Sequence, residues 1–216
     1  MDKIIWPTKQ RYLNPTVYEL KPEEELRIYE IQDFIRVRLL DGQAEVFGRE
    51  MPTEETVFFF KGENLGIFTW KGAKIEVEDH KSVYVDQRGQ FGETKNPMRE
   101  LVNLNHILEQ QRNEALTSKT PGPCVFVTGN SQSGKTSVCK ILVNYALKLG
   151  WTPLFVDIDL STNMLSAPGC LSAALVEDIL DGQSDTLTAK SINYFHGACT
   201  PGNFIITPDY FDSQIT

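Results

Sequence analysis

Gly129 to Thr136 satisfy the pattern G-x-x-x-x-G-K-[ST], reading Gly129-Asn130-Ser131-Gln132-Ser133-Gly134-Lys135-Thr136, with Ser137 directly behind. These residue types at this spacing form a phosphate-binding loop. The two glycines let the backbone turn tightly and approach an anion without a Cβ in the way. Successive N–H groups, contributed along Asn130, Ser131, Gln132, Ser133 and on into Ser137, then point at the phosphates from a helix N-terminus. Lys135 places a charge on the β- and γ-phosphates, and the Thr136 hydroxyl reaches a Mg²⁺ ion. The bland alternative is a chance match in a turn. Against it stand the apolar, strand-like run Cys124–Thr128 just before the loop and the helical pattern just after it.

A second group of candidates lies downstream. Leu154-Phe155-Val156-Asp157-Ile158-Asp159 reads as an apolar strand ending in carboxylates. Asp157 and Asp159 share side-chain parity along a strand, so either can stand beside the phosphates. One of them then orients Mg²⁺ through water, or acts as base on an acceptor hydroxyl. An ordinary polar strand end is the competing reading.

The elements that must hold these groups follow from the periodicity. Val138, Ile141, Leu142, Tyr145, Ala146 and Leu149 mark an amphipathic helix closed by Gly150. Strand, loop, helix, strand in that order predicts an α/β domain with a parallel sheet and a right-handed crossover. Asn193 to Gly197 reads as a further strand ending in a turn.

Residues 1–98 read as an all-β, sandwich-like domain. The expected strands are Leu26–Tyr29, Ile35–Leu39, Ala44–Gly48, Thr56–Phe60, Ile67–Trp70, Ala73–Val77 and Val83–Val85. Asp41-Gly42 is a hairpin signal between the second and third of these runs, and Lys71-Gly72 is a turn. Gln87 to Asn96 reads as a linker, and Asn96-Pro97 disfavours helix before that point. Leu101, Leu104, Ile107 and Leu108 then fall at helical spacing, giving a linking helix over 99–118 ahead of a partial nucleotide domain over 119–216.

At 216 residues, 41% hydrophobic and 23% charged, the chain has an ordinary globular composition. It contains no apolar run long enough to span a membrane, and Met1 to Pro7 lack the apolar core of a signal peptide. Cys124, Cys139, Cys170 and Cys199 have no metal-binding spacing, so no structural zinc is expected. His80, His106 and His196 form no catalytic pair. A net charge of −8 is wrong for a protein that holds bare nucleic acid over a broad surface.

The ordered set of motifs resembles a known family. Gly122-Pro123, the loop Gly129 to Ser137, Asn144-Tyr145-Ala146-Leu147, the strand to Asp159, Pro168-Gly169-Cys170 and Thr200-Pro201-Gly202 recur in that order in the Clp/Grc polynucleotide 5′-hydroxyl kinases. Within them the chain is similar to the Clp-type subunit of the nuclear mRNA cleavage and polyadenylation machinery. The loop and the run Pro168-Gly169-Cys170 to Asp178-Ile179-Leu180-Asp181 look closest to its fungal branch. The resemblance implies ATP and Mg²⁺ as cofactors and a nuclear location. It also implies a large scaffold subunit as partner, with RNA met through the complex, and base-contacting residues in the β domain at positions matching Glu25 and Lys61. Thr200-Pro201-Gly202 would help clasp an acceptor.

Departures from the family matter for mechanism. Active members carry Gly-Gln shortly after the strand carboxylate, whereas Asp159 is followed by Leu160-Ser161-Thr162-Asn163. No arginine follows Lys135; the later cations are Lys140, Lys148 and Lys190, against eight acidic residues. A transition-state arginine is worth about 10³–10⁵ in phosphoryl-transfer rate. The expectation is therefore a C-terminally truncated member that holds ATP and Mg²⁺ as structural ligands. An active 5′-hydroxyl kinase is the alternative that the resemblance implies, with Lys135 cradling the γ-phosphate and Asp159 taking the proton from the 5′-hydroxyl as its catalytic residues. A GTPase would want N-K-x-D, which is absent.

Overall fold

Alternation of apolar and polar residues builds the first of two units. The computed structural model describes residues 15–78, 81–86, 96–180 and 190–199. Contacts divide the chain into one unit of Met1–Val46 with Glu50–Asn96 and a second of Phe47–Arg49 with Pro97–Thr216. His80, residues 87–95 of the expected linker, residues 181–188 and the Thr200-Pro201-Gly202 motif lie outside the described residues.

In the first unit the strands are β1 (Thr16–Leu20), β2 (Glu25–Ile28), β3 (Phe34–Gly42), β4 (Glu45–Val46), β5 (Arg49–Glu50), β6 (Thr56–Phe60), β7 (Leu65–Phe68), β8 (Ala73–Val77) and β9 (Val83–Asp86). They form a four-stranded sheet, β1-β8-β3-β6, and a five-stranded sheet, β5-β4-β7-β2-β9. Leu26, Ile28 and Ile67 come from the second sheet, and Val37, Leu39, Phe59, Ile75 and Val77 from the first. All are at most 2% exposed. Two antiparallel sheets with fully buried inner faces make a β-sandwich.

The polar face of the first sheet fixes its register with cross-strand charges. Arg38 lies opposite Glu76 with a 3.0 Å ion pair, and Lys74 lies opposite Glu19 at 2.9 Å. Opposite charges directly across a ladder are among a sheet's specific stabilising contacts.

Two expectations need amending here. Asp41-Gly42 does not close a hairpin: β3 runs through Gly42, pairing Asp41 with Lys74 and Gly42 with Ala73 after a bulge at Leu39/Asp41. The chain then leaves one sheet for the other, because the next run belongs to the five-stranded sheet. The strands β1 and β5 went unread. β1 is amphipathic but largely exposed, and β5 is two polar residues defined only by its neighbour.

The second unit begins with α1 (Pro97–Ser118), whose proline stands at the first helical position, where no N–H is needed. α2 (Lys135–Lys148) follows the loop. It ends in a Schellman arrangement: Gly150 N–H donates to Leu147 O at 2.9 Å and Trp151 N–H to Ala146 O at 3.1 Å, with Gly150 at φ +84°. Three strands complete the described unit: β10 (Leu154–Asp157), β11 (Cys170–Leu175) and β12 (Ser191–Phe195). Val143 of α2 packs with Met164, Val176 and Leu180, flanked by Leu147 and Phe155.

The expected parallel sheet is not what these strands make. β10 pairs antiparallel with β11, and β11 antiparallel with β12. The expected strand Cys124–Thr128 joins no ladder among the described residues, and Phe126 there is 74% exposed. An apolar run becomes a strand only when neighbouring strands accept its N–H and C=O groups, and periodicity does not name those neighbours.

Candidate functional site

Short-range geometry builds the loop. Gly134 adopts φ +85°, ψ +15°, the left-handed region that a side chain disfavours, and serves as N-cap of α2. At Gly129 an added Cβ would come within 2.9 Å of the Ser133 hydroxyl, so the close approach needs a bare Cα. Gln132 also sits left-handed, at φ +59°, an uncommon state for a residue with a side chain that clusters at ligand-binding turns. Ser133 N–H donates to Asn130 O at 3.3 Å, and Lys135 Nζ donates to the same carbonyl at 2.9 Å.

The helix that opens on Lys135 carries no side-chain cap, and no acidic residue lies in its first turn. Its first intrahelical bond is Val138 N–H to Gly134 O. The N–H groups of Lys135, Thr136 and Ser137 precede that bond and have no helical acceptor. Residues 128–134 and Thr136 are exposed, and Lys135 and Ser137 are half-buried. Uncapped donors, the positive end of the helix dipole, a lysine and a hydroxyl converge where a polyphosphate can reach them. The residues present therefore fit a nucleoside triphosphate with its divalent cation. Lys135 and the loop N–H groups would hold the phosphates, and Thr136 would reach the metal.

Asp157 and Asp159 turn out to live in different surroundings. β10 ends at Asp157, so parity does not extend to Asp159. Asp157 is 7% exposed; its Oδ1 accepts from Asp159 N–H at 2.9 Å and its Oδ2 from Met164 N–H at 2.8 Å. Burial pushes its carboxyl above the usual range, partly offset by those two bonds. Its charge is also felt at Cys139, whose thiol is pushed up first by burial and then by Asp157. Cys139 lies on α2 one turn beyond Lys135. Asp159 is half-buried, and hydrogen bonds from Ser161, then Thr162, hold its carboxyl below the usual range despite an opposing desolvation.

Glu25 and Lys61 belong to different sheets of the sandwich. Glu25 lies on β2 of the five-stranded sheet and pairs with Arg27 at 2.8 Å; its carboxylate fills the space over Gly66. Lys61 follows β6 of the other sheet, exposed, with its N–H on Asp33 O at 2.7 Å. No hydrogen bond or ion pair joins the two among the described residues.

Sequence reasoning passed over the role of Asn144. It is fully buried in mid-helix, where its Nδ2 donates to Phe47 O at 2.8 Å and to Leu180 O at 3.0 Å, while Oδ1 accepts from Leu180 N–H at 2.7 Å. One side chain thus ties α2 to two loops of its unit. A signal was available: an asparagine inside the apolar run Ile141–Ala146 is a poor helix former, which calls for a polar partner.

Comparison with known proteins places both units. The family model described as "mRNA cleavage and polyadenylation factor CLP1 P-loop" matches residues 129–207. That described as "N-terminal beta-sandwich domain of polyadenylation factor" matches residues 19–115. The polyribonucleotide 5′-hydroxyl-kinase Clp1 of Homo sapiens is 33% identical over 192 residues, covering 88% of this chain and 44% of that protein. The protein CLP1 homolog of Anopheles gambiae is 35% identical over 198 residues, covering 90% and 45%. Among solved structures, the wild-type Clp1p–Pcf11p complex matches with a TM-score of 0.72 and 25% identity, covering 85% of this chain and 44% of that one. The chain spans less than half the length of the curated relatives it matches.

Proposed function

Because the chain belongs to the Clp1 family of mRNA cleavage and polyadenylation factors, matched in its β-sandwich and in its P-loop unit, we propose that it is an ATP-holding subunit of the pre-mRNA 3′-end processing machinery. It acts in the nucleus and keeps ATP with Mg²⁺ as a structural ligand. The observation that carries the reading is the uncapped, acid-free start of α2 behind the loop Gly129–Gly134, with Lys135 and Thr136 at its mouth. That arrangement recognises a polyphosphate whatever follows. Gly129 to Ser137 bind the phosphates, and Glu25 and Lys61 are the base contacts to be tested. Thr136 would hold the metal, with Asp159 as a candidate to reach it through water, and Asp157, with both oxygens on backbone N–H groups, shapes the loop from Asp157 to Met164.

Bound Mg²⁺ neutralises phosphate charge and polarises the terminal phosphoryl group. This chain's own residues hold and orient that group. Asp159 is followed by Leu160-Ser161-Thr162-Asn163 in place of the family's Gly-Gln, and no arginine follows Lys135 in the sequence; both support retention of ATP over transfer. The partner is a scaffold subunit of the kind represented by Pcf11p, which is bound to Clp1p in the matched structure, and RNA is reached through that assembly.

The kinase reading keeps one support, the 5′-hydroxyl-kinase name of the relatives. Incubation of the full chain with labelled ATP and a 5′-hydroxyl oligonucleotide separates the two. ATP recovered intact, with K135A having lost it, supports retention. Label on the 5′ end that disappears in D159A overturns it.

A further inference from the structure

The sheet β10-β11-β12 has one face packed and the other open. On the packed side Phe155 lies against the cluster of Val143, Met164, Val176 and Leu180. On the other side the ladder sets Leu154 opposite Leu175, Val156 opposite Ala173, Ala173 opposite Ile192 and Leu171 opposite Tyr194. Leu171 is buried at one end, whereas Leu154, Val156, Leu175, Ile192 and Tyr194 are each 53–65% exposed. None of these positions carries a charge. The largest apolar patch on a soluble monomer is typically about 300–600 Å², and five large side chains on three adjacent strands reach that size.

Charge and area select what covers it. The chain carries a net charge of −8, so two copies repel over most of their surface, and an uncharged face is where that repulsion is weakest. The border of the face carries both signs. Exposed Lys190 directly precedes Ser191, the partner of Ala174, and exposed Glu177 and Asp178 follow β11 just beyond Leu175. A two-fold axis along the strands keeps this end together in both copies and sets the lysine of one toward the carboxylates of the other. We propose that the open face of β10-β11-β12 is a homodimer interface, sealed by the same face of a second copy of this chain. Two antiparallel sheets packed face to face make a sandwich, as the first unit does within one chain. Two such faces together bury on the order of 1,000 Å², the lower end for specific pairs. The pair therefore exchanges with monomer at micromolar concentration. Nothing in this inference depends on the nucleotide reading.

Sedimentation velocity of the full chain, run from well below to well above micromolar concentration, reads the pair directly. Wild type is expected to pass from monomer to dimer across that range. I192D sets a carboxylate into the face of each copy and should raise the dissociation constant about hundredfold or more. I192T removes apolar surface from each copy and should raise it about tenfold. Far-UV circular dichroism and the urea midpoint, taken where wild type is monomeric, show whether each variant is folded, and I192T carries the test alone if I192D is not. A wild type that stays monomeric at the highest concentration overturns the inference, because the face is then covered by another part of the chain or by a different protein. A folded variant that dimerises as tightly as wild type also overturns it, because another surface then makes the pair.

Discussion

Ile67 of the sandwich and Ile192 of the P-loop unit are both strand isoleucines, yet the first is 0% exposed and the second 65%. The contrast extends to whole faces. In the sandwich, Leu26, Val37, Ile75 and Val77 look inward and are sealed by the opposing sheet. In the three-stranded sheet, Leu154 lies opposite Leu175, and Val156 opposite Ala173, which in turn faces Ile192. Among the described residues of that face, Leu154, Val156, Leu175, Ile192 and Tyr194 are all more than half exposed, while Leu171 is buried. The P-loop unit keeps its order on the other side, through α2, the cluster around Val143 and Val176, and the Asn144 bonds. Apolar strands therefore mean different things in the two units. A closed pair of sheets turns them into stability. A single sheet turns only the covered half.

The contrast can be tested hardest at the core. Phe59, 2% exposed between the sheets, should cost about 3–5 kcal/mol when cut to alanine. Ile192→Thr on the open face should change stability by about 0.5 kcal/mol or less. Urea unfolding measures both, and comparable losses would erase the distinction between the units. Next in size is Asn144→Ala, which leaves Leu180 N–H and two carbonyls without their buried partner. A loss of about 2–3 kcal/mol is expected, with hydrogen exchange at the Leu180 amide released before that of the sandwich strands. Exchange that rises in the sandwich first would place the clamp's effect in the wrong unit.

The smallest effect is pH dependence within the P-loop unit, where the two carboxylates should act in opposite senses. The folded pKa of Asp157 is raised, so its contribution is present below the unfolded value and is lost as pH rises through the raised one. That of Asp159 is lowered, so its contribution is present above the unfolded value and is lost as pH falls through the lowered one. Urea midpoints followed through the carboxylate range, around pH 4, should therefore lose a decline toward higher pH in D157N and a decline toward lower pH in D159N. Identical profiles for the two variants would show that the surroundings do not separate them.

Much of the candidate site was legible before any coordinates. The phosphate loop and the start of α2 are closed by bonds spanning three to five residues, such as Ser133 N–H to Asn130 O and Lys135 Nζ to the same carbonyl. Residue types at fixed spacing are enough to specify such bonds. Gly150 marked the end of α2 for the same reason. Ala73–Val77 was readable because it alternates against a buried face and coincides with β8, and Thr56–Phe60 because its β-branched and aromatic residues coincide with β6. Asp159 was legible as a candidate; the donors that occupy it lay two and three residues away and passed unnoticed.

Sequence alone determined that this chain folds a β-rich unit, carries a phosphate loop at the head of a helix and shares the ordered motifs of the Clp1 family. Tertiary structure decided which strands pair, and made β10 to β12 antiparallel where a parallel crossover was expected. It also left Cys124–Thr128 outside any ladder among the described residues, and gave Asn144 partners 36 and 97 residues distant. It separated Asp157 from Asp159, two positions apart, into a buried and a half-exposed carboxylate. The reason is common to all of these. Turns and helix ends are satisfied by donors and acceptors close in the chain, whereas ladders, burial and the charge state of a carboxylate depend on groups that only the folded chain brings near.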